Sequence, residues 1–273
     1  MHHILVRIAL LCCMLFFKQA LAYGQPETPA TKFNNTIELV LPSKILNEDR
    51  IIYMHLPKDW QEKAYPVFIL IDGEYIELYE EALHAINTNK DVSEHIVVGI
   101  DNHLNRNRDL LPVKVENRPG SGEAHKFLQF LQQELIPHLN QQYNASQERI
   151  LFGGSNGGLF TLYAFFAAPE LFSGYIASSA MIGHCPDFME EQLRTFTHLN
   201  QVKGKTLFLH YGMKDPFKQA TDYLPAYAKK LKTYLGNRFP IKSICLPEGG
   251  HVPPGGIEQG LTFYHTNKTK ATK

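Results

Sequence analysis

The sequence predicts an α/β fold with a mostly parallel central sheet, an antiparallel N-terminal edge and helices on both faces. Continuous apolar runs of β-branched character, such as 67–71 and 96–100, are typical of strands buried on both faces. Helix-like stretches separate the strand-like segments, which indicates βαβ units. Residues 36–41 and 50–56 instead alternate apolar and polar side chains, as expected of an antiparallel pair at one edge.

The elements follow one another without a dividing linker, an internal repeat or a low-complexity tract. Predicted strands cover residues 36–41, 50–56, 67–71, 96–100, 150–153, 174–178, 206–211 and 241–246. Predicted helices cover residues 78–87, 124–143, 159–167 and 219–235. One face of the second helix is apolar at helical spacing, with Phe127, Phe130, Leu131, Leu135, Ile136 and Leu139. We therefore expect one domain over residues 33–266.

The two ends of the chain are predicted to lie outside this domain. A short basic start, the apolar run Ile8 to Phe17 and the small residues around Leu21 predict a signal peptide over residues 1–22, cleaved after Ala22. The apolar run is too short to span a bilayer, although an uncleaved anchor is the alternative. Cleavage implies a secreted or periplasmic protein with no stable membrane insertion. Residues 23–32 are interpreted as a linker and 267–273 as a polar tail.

Bulk composition excludes some classes of partner. The 273 residues include 27 Lys and Arg against 27 Asp and Glu, so the formal net charge is zero and nothing indicates a nucleic-acid partner. No pattern predicts a metal or a cofactor. Two of the four cysteines, Cys185 and Cys245, lie beyond the signal peptide. A disulfide is one possibility, but the strand-like surroundings of Cys245 favour two buried thiols.

The pentad Gly153-Gly154-Ser155-Asn156-Gly157 is the main functional signal. It lies between a predicted strand and a predicted helix, which is the setting of a nucleophile elbow. The serine of such an elbow occupies a strained turn, and the flanking glycines let the strand and the helix approach each other. The alternative is an ordinary glycine-rich turn. We predict that Ser155 is a nucleophile.

A serine nucleophile requires a base and a group that orients the base. His251 follows the last predicted strand through a short loop, and Asp215 follows the preceding strand, in the chain order expected after such a serine. The alternatives are an exposed loop histidine and a turn aspartate before Pro216. Asp222 and Glu248 are the alternative candidates for the carboxylate that orients His251. His210 lies inside an apolar strand and is predicted to be a core residue with its hydrogen bonds satisfied.

Two backbone donors would complete the site as an oxyanion hole. One is the N–H of Asn156, the residue after the predicted nucleophile. The second should come from the loop after the strand 67–71, where either Gly73 or Glu74 is a candidate. The alternative for this loop is a plain turn between a strand and a helix.

Three further side chains are candidates for contact with a substrate. Tyr75 belongs to the same loop, while Arg106 and Arg108 lie in a polar segment after the strand 96–100. Because ligands bind at the carboxyl ends of parallel strands, an arginine here could hold an anionic group. The alternative is that these arginines tie the loop to a neighbouring carboxylate.

From about Ile37 to Tyr264 the chain resembles the putative-esterase, or esterase D-like, branch of the α/β-hydrolases. The matching segments are Leu70–Gly73, Val98–Asn102, Arg106–Pro112, Phe130–Leu131, Glu134–Pro137, Phe152–Leu159, Pro169–Phe172, Gly212 with Asp215, and Glu248–His251. The resemblance implies an α/β-hydrolase fold and a serine esterase with Ser155, Asp215 and His251 as its triad. Relatives include carboxylesterases, S-formylglutathione hydrolase, siderophore esterases and mycolyltransferases. The expected partner is a small-molecule ester.

The chain departs from the family pattern at two places. The elbow reads Gly154-Ser155-Asn156, where the family has a histidine or methionine before the serine and a hydrophobic residue after it. The segment 180–184 lacks an aromatic pair that is common in some siderophore esterases, which weakens the expectation of a siderophore substrate. Two alternatives to hydrolysis remain: an acyltransferase that uses the same acyl-enzyme, and a non-catalytic binding protein of the same fold.

Overall fold

The computed structural model describes residues 27–236 and 238–271, and the side chains of these residues up to 268. Eight strands form one sheet in the order β1-β2-β4-β3-β5-β6-β7-β8. Their bounds are β1 Thr36–Ser43, β2 Glu48–His55, β3 Tyr65–Ile71, β4 Ile96–Ile100, β5 Ala145–Gly154, β6 Gly174–Ser178, β7 Thr206–Gly212 and β8 Ile241–Leu246. All eight predicted strands are present, and β5 begins several residues earlier than predicted.

Strand directions confirm the predicted mostly parallel sheet with an antiparallel edge. The hairpin of β1 and β2 pairs antiparallel, and β2 pairs antiparallel with β4. Every other neighbouring pair is parallel. The carboxyl ends of β3 to β8 therefore lie along one edge of the sheet, where loops after different strands meet.

Helices cover both faces, as predicted. Their bounds are α1 Pro29–Lys32, α2 Ile76–Thr88, α3 Arg106–Leu110, α4 Ala124–Phe130, α5 Ile136–Gln142, α6 Asn156–Ala167, α7 Pro186–Thr195, α8 Lys218–Thr221, α9 Leu224–Leu235 and α10 Gly256–Ala271. Single-turn 3₁₀ segments lie at His103–Asn105 and Ile182–His184, and a π-helical turn, Leu131–Leu135, joins α4 to α5.

The sheet separates two apolar cores, because successive side chains of a strand point to opposite faces. In β3, Val67, Ile69 and Ile71 pack into the core beneath α4 to α7 and α9. Phe68 and Leu70 pack into the other core, beneath α2 and α10. The same two-sided burial explains why β3 reads as an unbroken apolar run rather than an alternating one.

Two predicted boundaries are wrong. Residues 29–32 belong to the predicted linker, yet they form α1, whose Pro29 is buried and whose Ala30 packs against the core shared by α2 and α10. Residues 267–271 belong to the predicted polar tail, yet they continue α10. A polar composition does not show that one apolar face of a segment is buried, as in α1. Nor does it show that a segment continues the helix before it, as in α10.

The predicted signal peptide lies outside the described residues. None of the helices within residues 27–236 and 238–271 is long and apolar enough to cross a bilayer. Cys185 and Cys245 are both free thiols, in agreement with the preference against a disulfide. Cys185 is buried, but Cys245 is exposed on β8, which corrects the expectation of two buried thiols.

Candidate active site

Ser155 lies at the turn between β5 and α6, at the carboxyl edge of the sheet. Its backbone has φ 59° and ψ −121°, a conformation that side-chain-bearing residues rarely adopt. A Cβ on Gly153 would overlap the carbonyl oxygen of Gly157, so the glycine permits the close approach of strand and helix. The Ser155 N–H donates to the carbonyl of Ser178 at 2.9 Å, which ties the turn to β6. The geometry is that of a nucleophile elbow.

Asp215 and His251 come from two different loops and meet at the same edge. Asp215 follows β7, His251 follows β8, and Nδ1 of His251 lies 2.7 Å from Oδ2 of Asp215. The other carboxylate oxygen accepts the Phe217 N–H at 2.9 Å. The Asp215 side chain is 1% exposed, whereas His251 is 24% exposed. A buried, fully bonded carboxylate therefore orients a ring that remains accessible, with Nε2 left for a reaction partner.

Ser155 and His251 line one pocket of about 410 Å³. Tyr75, Phe217 and Val252 add an apolar wall, and the Phe217 ring packs against the His251 ring with 4.6 Å between centroids. Of the three candidate carboxylates, Asp215 is the one in contact with His251, whereas Asp222 is exposed and the exposed Glu248 is paired with Lys214. The structure thus brings the three predicted catalytic residues to one end of the sheet.

The three oxyanion-hole candidates differ in their backbone surroundings. Asn156 is the first residue of α6, so its N–H has no acceptor within the helix. The Gly73 N–H donates to the carbonyl of Ile100 at 2.8 Å, which makes it unavailable and corrects its candidacy. Gly73 is a glycine for another reason, since a Cβ there would overlap the backbone of Gly99. Glu74 remains as the second candidate.

Glu74 occupies an unusual environment. Burial, together with the negative charge of Asp72, raises the pKa of the Glu74 carboxyl to about 7. One of its oxygens accepts the Asn102 N–H at 3.2 Å, and the other is buried without a hydrogen-bond partner among the described residues.

The two candidate arginines differ in their position relative to the pocket. Arg106 lines the pocket, but its Nε and Nη2 donate to the two oxygens of Asp72 at 2.9 and 2.8 Å. Arg108 is bound by Glu48 and Asp109 and is not part of the pocket wall, which corrects its candidacy for substrate contact. The alternative interpretation, an arginine that ties a loop to a carboxylate, describes Arg108 fully. Tyr75 lies in the wall and is exposed.

Sequence reasoning missed the residues that hold the histidine loop. Val252 has φ 45°, which is costly for a β-branched residue. Its N–H donates to Oγ of Ser179 at 3.0 Å, and a Cβ added to Gly154 would lie 3.0 Å from a Val252 methyl. A local sequence pattern does not predict these contacts, because the residues that make them are far apart in the sequence. Phe217 could have been found, because it is an aromatic residue two positions after Asp215, in the loop that follows the strand.

His210 is buried on β7, as predicted, but both of its ring nitrogens lack a hydrogen-bond partner within the described residues. The expectation that its hydrogen bonds are satisfied is therefore wrong. Burial lowers the pKa of this imidazole, which keeps the ring neutral. His210 does not line the pocket that contains Ser155.

Comparisons with known proteins agree with this architecture. The family model described as "Putative esterase" matches residues 43–237. The siderophore triacetylfusarinine C esterase of Aspergillus fumigatus is 24% identical over 208 residues, which cover 68% of this chain and 71% of that protein. The ferri-bacillibactin esterase BesA of Bacillus subtilis is 30% identical over 100 residues, 36% of this chain and 35% of that protein.

The fold recurs in solved structures. An IroE-like serine hydrolase from Shewanella oneidensis superposes with a TM-score of 0.73 at 25% identity, covering 83% of this chain and 79% of the other. The family match spans well over half of the chain, and the named relatives are esterases. This chain therefore belongs to the Putative esterase family and is a carboxylic ester hydrolase with the α/β-hydrolase fold.

Proposed function

We propose that the protein hydrolyses small-molecule carboxylic esters through a Ser155–His251–Asp215 triad and a covalent acyl-enzyme. The observation that supports this most is the 2.7 Å contact between Asp215 and His251, in a pocket that also contains Ser155 at a strained elbow. Asp215 would keep the proton on Nδ1, which would leave Nε2 of His251 free to accept the proton of the serine hydroxyl.

The reaction then takes two steps. Ser155 Oγ attacks the ester carbonyl carbon while His251 Nε2 accepts the hydroxyl proton. The N–H groups of Asn156 and Glu74 stabilise the negative oxygen, and the alcohol leaves with the proton from His251. Water next attacks the acyl-enzyme, gives a proton to His251, and releases the acid as Ser155 recovers its hydrogen.

The names of the relatives suggest a class of substrate for this chain. Two named relatives are siderophore esterases, so a siderophore ester is within the proposed range of small esters.

We also propose that residues 1–22 are a cleaved signal peptide and that the protein is secreted or periplasmic, on the basis of the sequence pattern. Mass spectrometry of the mature protein should find Tyr23 at its N-terminus, and a mature chain that retains Met1 would contradict export by cleavage.

The central test combines turnover with active-site labelling. Purified mature protein should cleave p-nitrophenyl butyrate, and a fluorophosphonate should label Ser155. Ser155→Ala should abolish both, whereas the matched control Ser146→Ala, at the amino end of β5, should keep both. Absence of turnover together with absence of labelling in the wild-type protein would remove the hypothesis. Product analysis with added alcohols separates hydrolysis from acyl transfer.

A further inference from the structure

The pocket wall lacks the unpaired positive charge that an anion-binding site would require. Besides His251, three residues of its wall have acidic or basic side chains: Asp72, Glu77 and Arg106. The single guanidinium is already held by both oxygens of Asp72, and the Asp72 side chain is 3% exposed. A bidentate pair of this kind has no net charge to offer to a ligand.

Glu77 is left over after that pairing. It lies in the first turn of α2, is exposed, and makes no salt bridge within the described part of the chain. Lys32 attracts it at longer range, but the Lys32 ammonium is bonded to Glu80. The wall of the pocket therefore has an excess of one negative charge.

Two further carboxyl groups near the pocket add to its negative charge. Asp215 adds a buried carboxylate behind His251. Glu74, between Asp72 and Tyr75, adds a carboxyl that ionises only near neutral pH. A ligand with its own carboxylate would lose water and meet like charge in a partly enclosed space, where Coulomb energies exceed those in bulk water.

The rest of the wall is apolar. Leu78, Phe217 and Val252 lie beside the catalytic residues, with the Tyr75 ring exposed at the rim. Such surfaces accept a hydrocarbon or aromatic group without a charge partner. The pocket thus combines an apolar contact surface with a negative field.

We propose that this site selects esters with an uncharged acyl group and discriminates against acyl groups that carry a carboxylate, with Glu77 as a specificity-determining residue. This inference rests on the proposed esterase function of Ser155. The same field favours release of the acid product, because the free carboxylate formed by hydrolysis is repelled by the wall that accepted the neutral ester.

The test compares two esters that differ only in charge. Mono-(4-nitrophenyl) glutarate ends in a carboxylate, and 4-nitrophenyl 4-carbamoylbutanoate carries the isosteric amide. For the wild-type protein, kcat/KM for the amide ester should exceed that for the carboxylate ester about tenfold. In Glu77→Gln this ratio should fall about threefold, and added salt should also lower it in the wild-type protein.

A matched variant controls for the loss of one negative charge. Glu62 is exposed and precedes β3, so it lies at the opposite end of the sheet, and Glu62→Gln should keep the wild-type ratio. Equal kcat/KM values for the two esters, or a preference for the carboxylate ester, would overturn this inference while leaving the esterase proposal intact. Cleavage of neither ester, with no labelling of Ser155, would overturn both.

Discussion

The backbone N–H of Val252 donates a hydrogen bond of 3.0 Å to Oγ of Ser179, and this contact anchors the loop that contains His251. Ser179 is fully buried, and its own N–H donates to the carbonyl of His210 at 2.8 Å. Val252 in turn packs over Gly154, the residue before Ser155. The loop that contains the proposed base is thus held against the elbow by one serine hydroxyl and one valine.

Ser179→Ala should lower kcat about fivefold to tenfold with a small change in KM. Removal of the hydroxyl leaves the Val252 N–H without its acceptor, at a cost of about 1 kcal/mol, and releases the strained backbone next to His251. Steady-state kinetics with p-nitrophenyl butyrate would measure this. Ser146→Ala is a matched control, because the Ser146 hydroxyl also accepts a backbone N–H, from Glu148, but at the amino end of β5. Equal kinetics in both variants would contradict the anchoring role.

The two glycines before the serine should respond differently to substitution. Gly153→Ala places a methyl group against the backbone of Gly157, which cannot move without unpacking α6 from β5, so we expect destabilisation of about 3 kcal/mol. Gly154→Ala meets only the Val252 side chain, 3.0 Å from the new Cβ. That variant should fold with little loss of stability and lose activity as the histidine loop shifts.

Urea unfolding and kinetics together test this contrast between the glycines. The free energy of unfolding should fall in Gly153→Ala and stay within about 1 kcal/mol of wild type in Gly154→Ala. A Gly154→Ala protein with full activity would show that contact with Val252 does not position His251.

Asp215→Asn should reduce kcat by about 10³-fold to 10⁴-fold if the carboxylate orients the base, because an amide can favour the wrong imidazole tautomer. Circular dichroism should show an unchanged fold, and KM should change little. Asp222→Asn is the control, since Asp222 is exposed and lies only seven residues further along the chain. Comparable losses in both variants would assign the orienting role elsewhere.

Glu74 should make the protein less stable as the pH rises from about 4.5 to 7. Burial raises its pKa to about 7 in the folded protein from an ordinary value of 4.5, so the folded state binds the proton more tightly. Stability linked to this proton is fully present below pH 4.5 and is lost as the pH rises through the folded value. Allowing for partial exposure, the loss amounts to about 2 kcal/mol.

Glu74→Gln removes that titration and keeps the backbone N–H proposed for the oxyanion hole. The difference in the free energy of unfolding between the variant and wild type should therefore change by about 2 kcal/mol in favour of the variant from pH 4.5 to pH 7.5. Urea titrations at several pH values measure it, with Glu62→Gln as the exposed control. A constant difference across this range would contradict the raised pKa.

The sequence alone predicted the elements that depend on local patterns. Apolar runs and alternation located all eight strands, and the antiparallel edge followed from the period-two pattern of β1 and β2. The elbow at Ser155 was recognisable because its residue types are required by a turn between neighbouring elements. Asp215 and His251, which are in contact in the structure, were predicted to meet because each follows the carboxyl end of a parallel strand, and those ends share one edge.

The helix α10 shows where such reasoning stops. Its hydrophobic face is narrow, with Ile257, Leu261 and Tyr264 buried among polar neighbours, and no helix was predicted there. The helix is stabilised by packing against the core shared with α2 and by the Ile257 N–H, which donates to Glu81 at 2.8 Å. Tertiary contacts overrode a weak local preference.

From the sequence, then, came the eight strands in chain order, the elbow and the three residues proposed for catalysis, because each depends on neighbours in the chain or on the position of a strand end. Only the tertiary structure decided that the Gly73 N–H is occupied by Ile100 and that Arg106 is neutralised by Asp72. It also decided that Val252 is held in a strained conformation by Ser179. Hydrogen bonds and ion pairs between residues that are distant in sequence depend on interatomic distances, and chain order does not specify them.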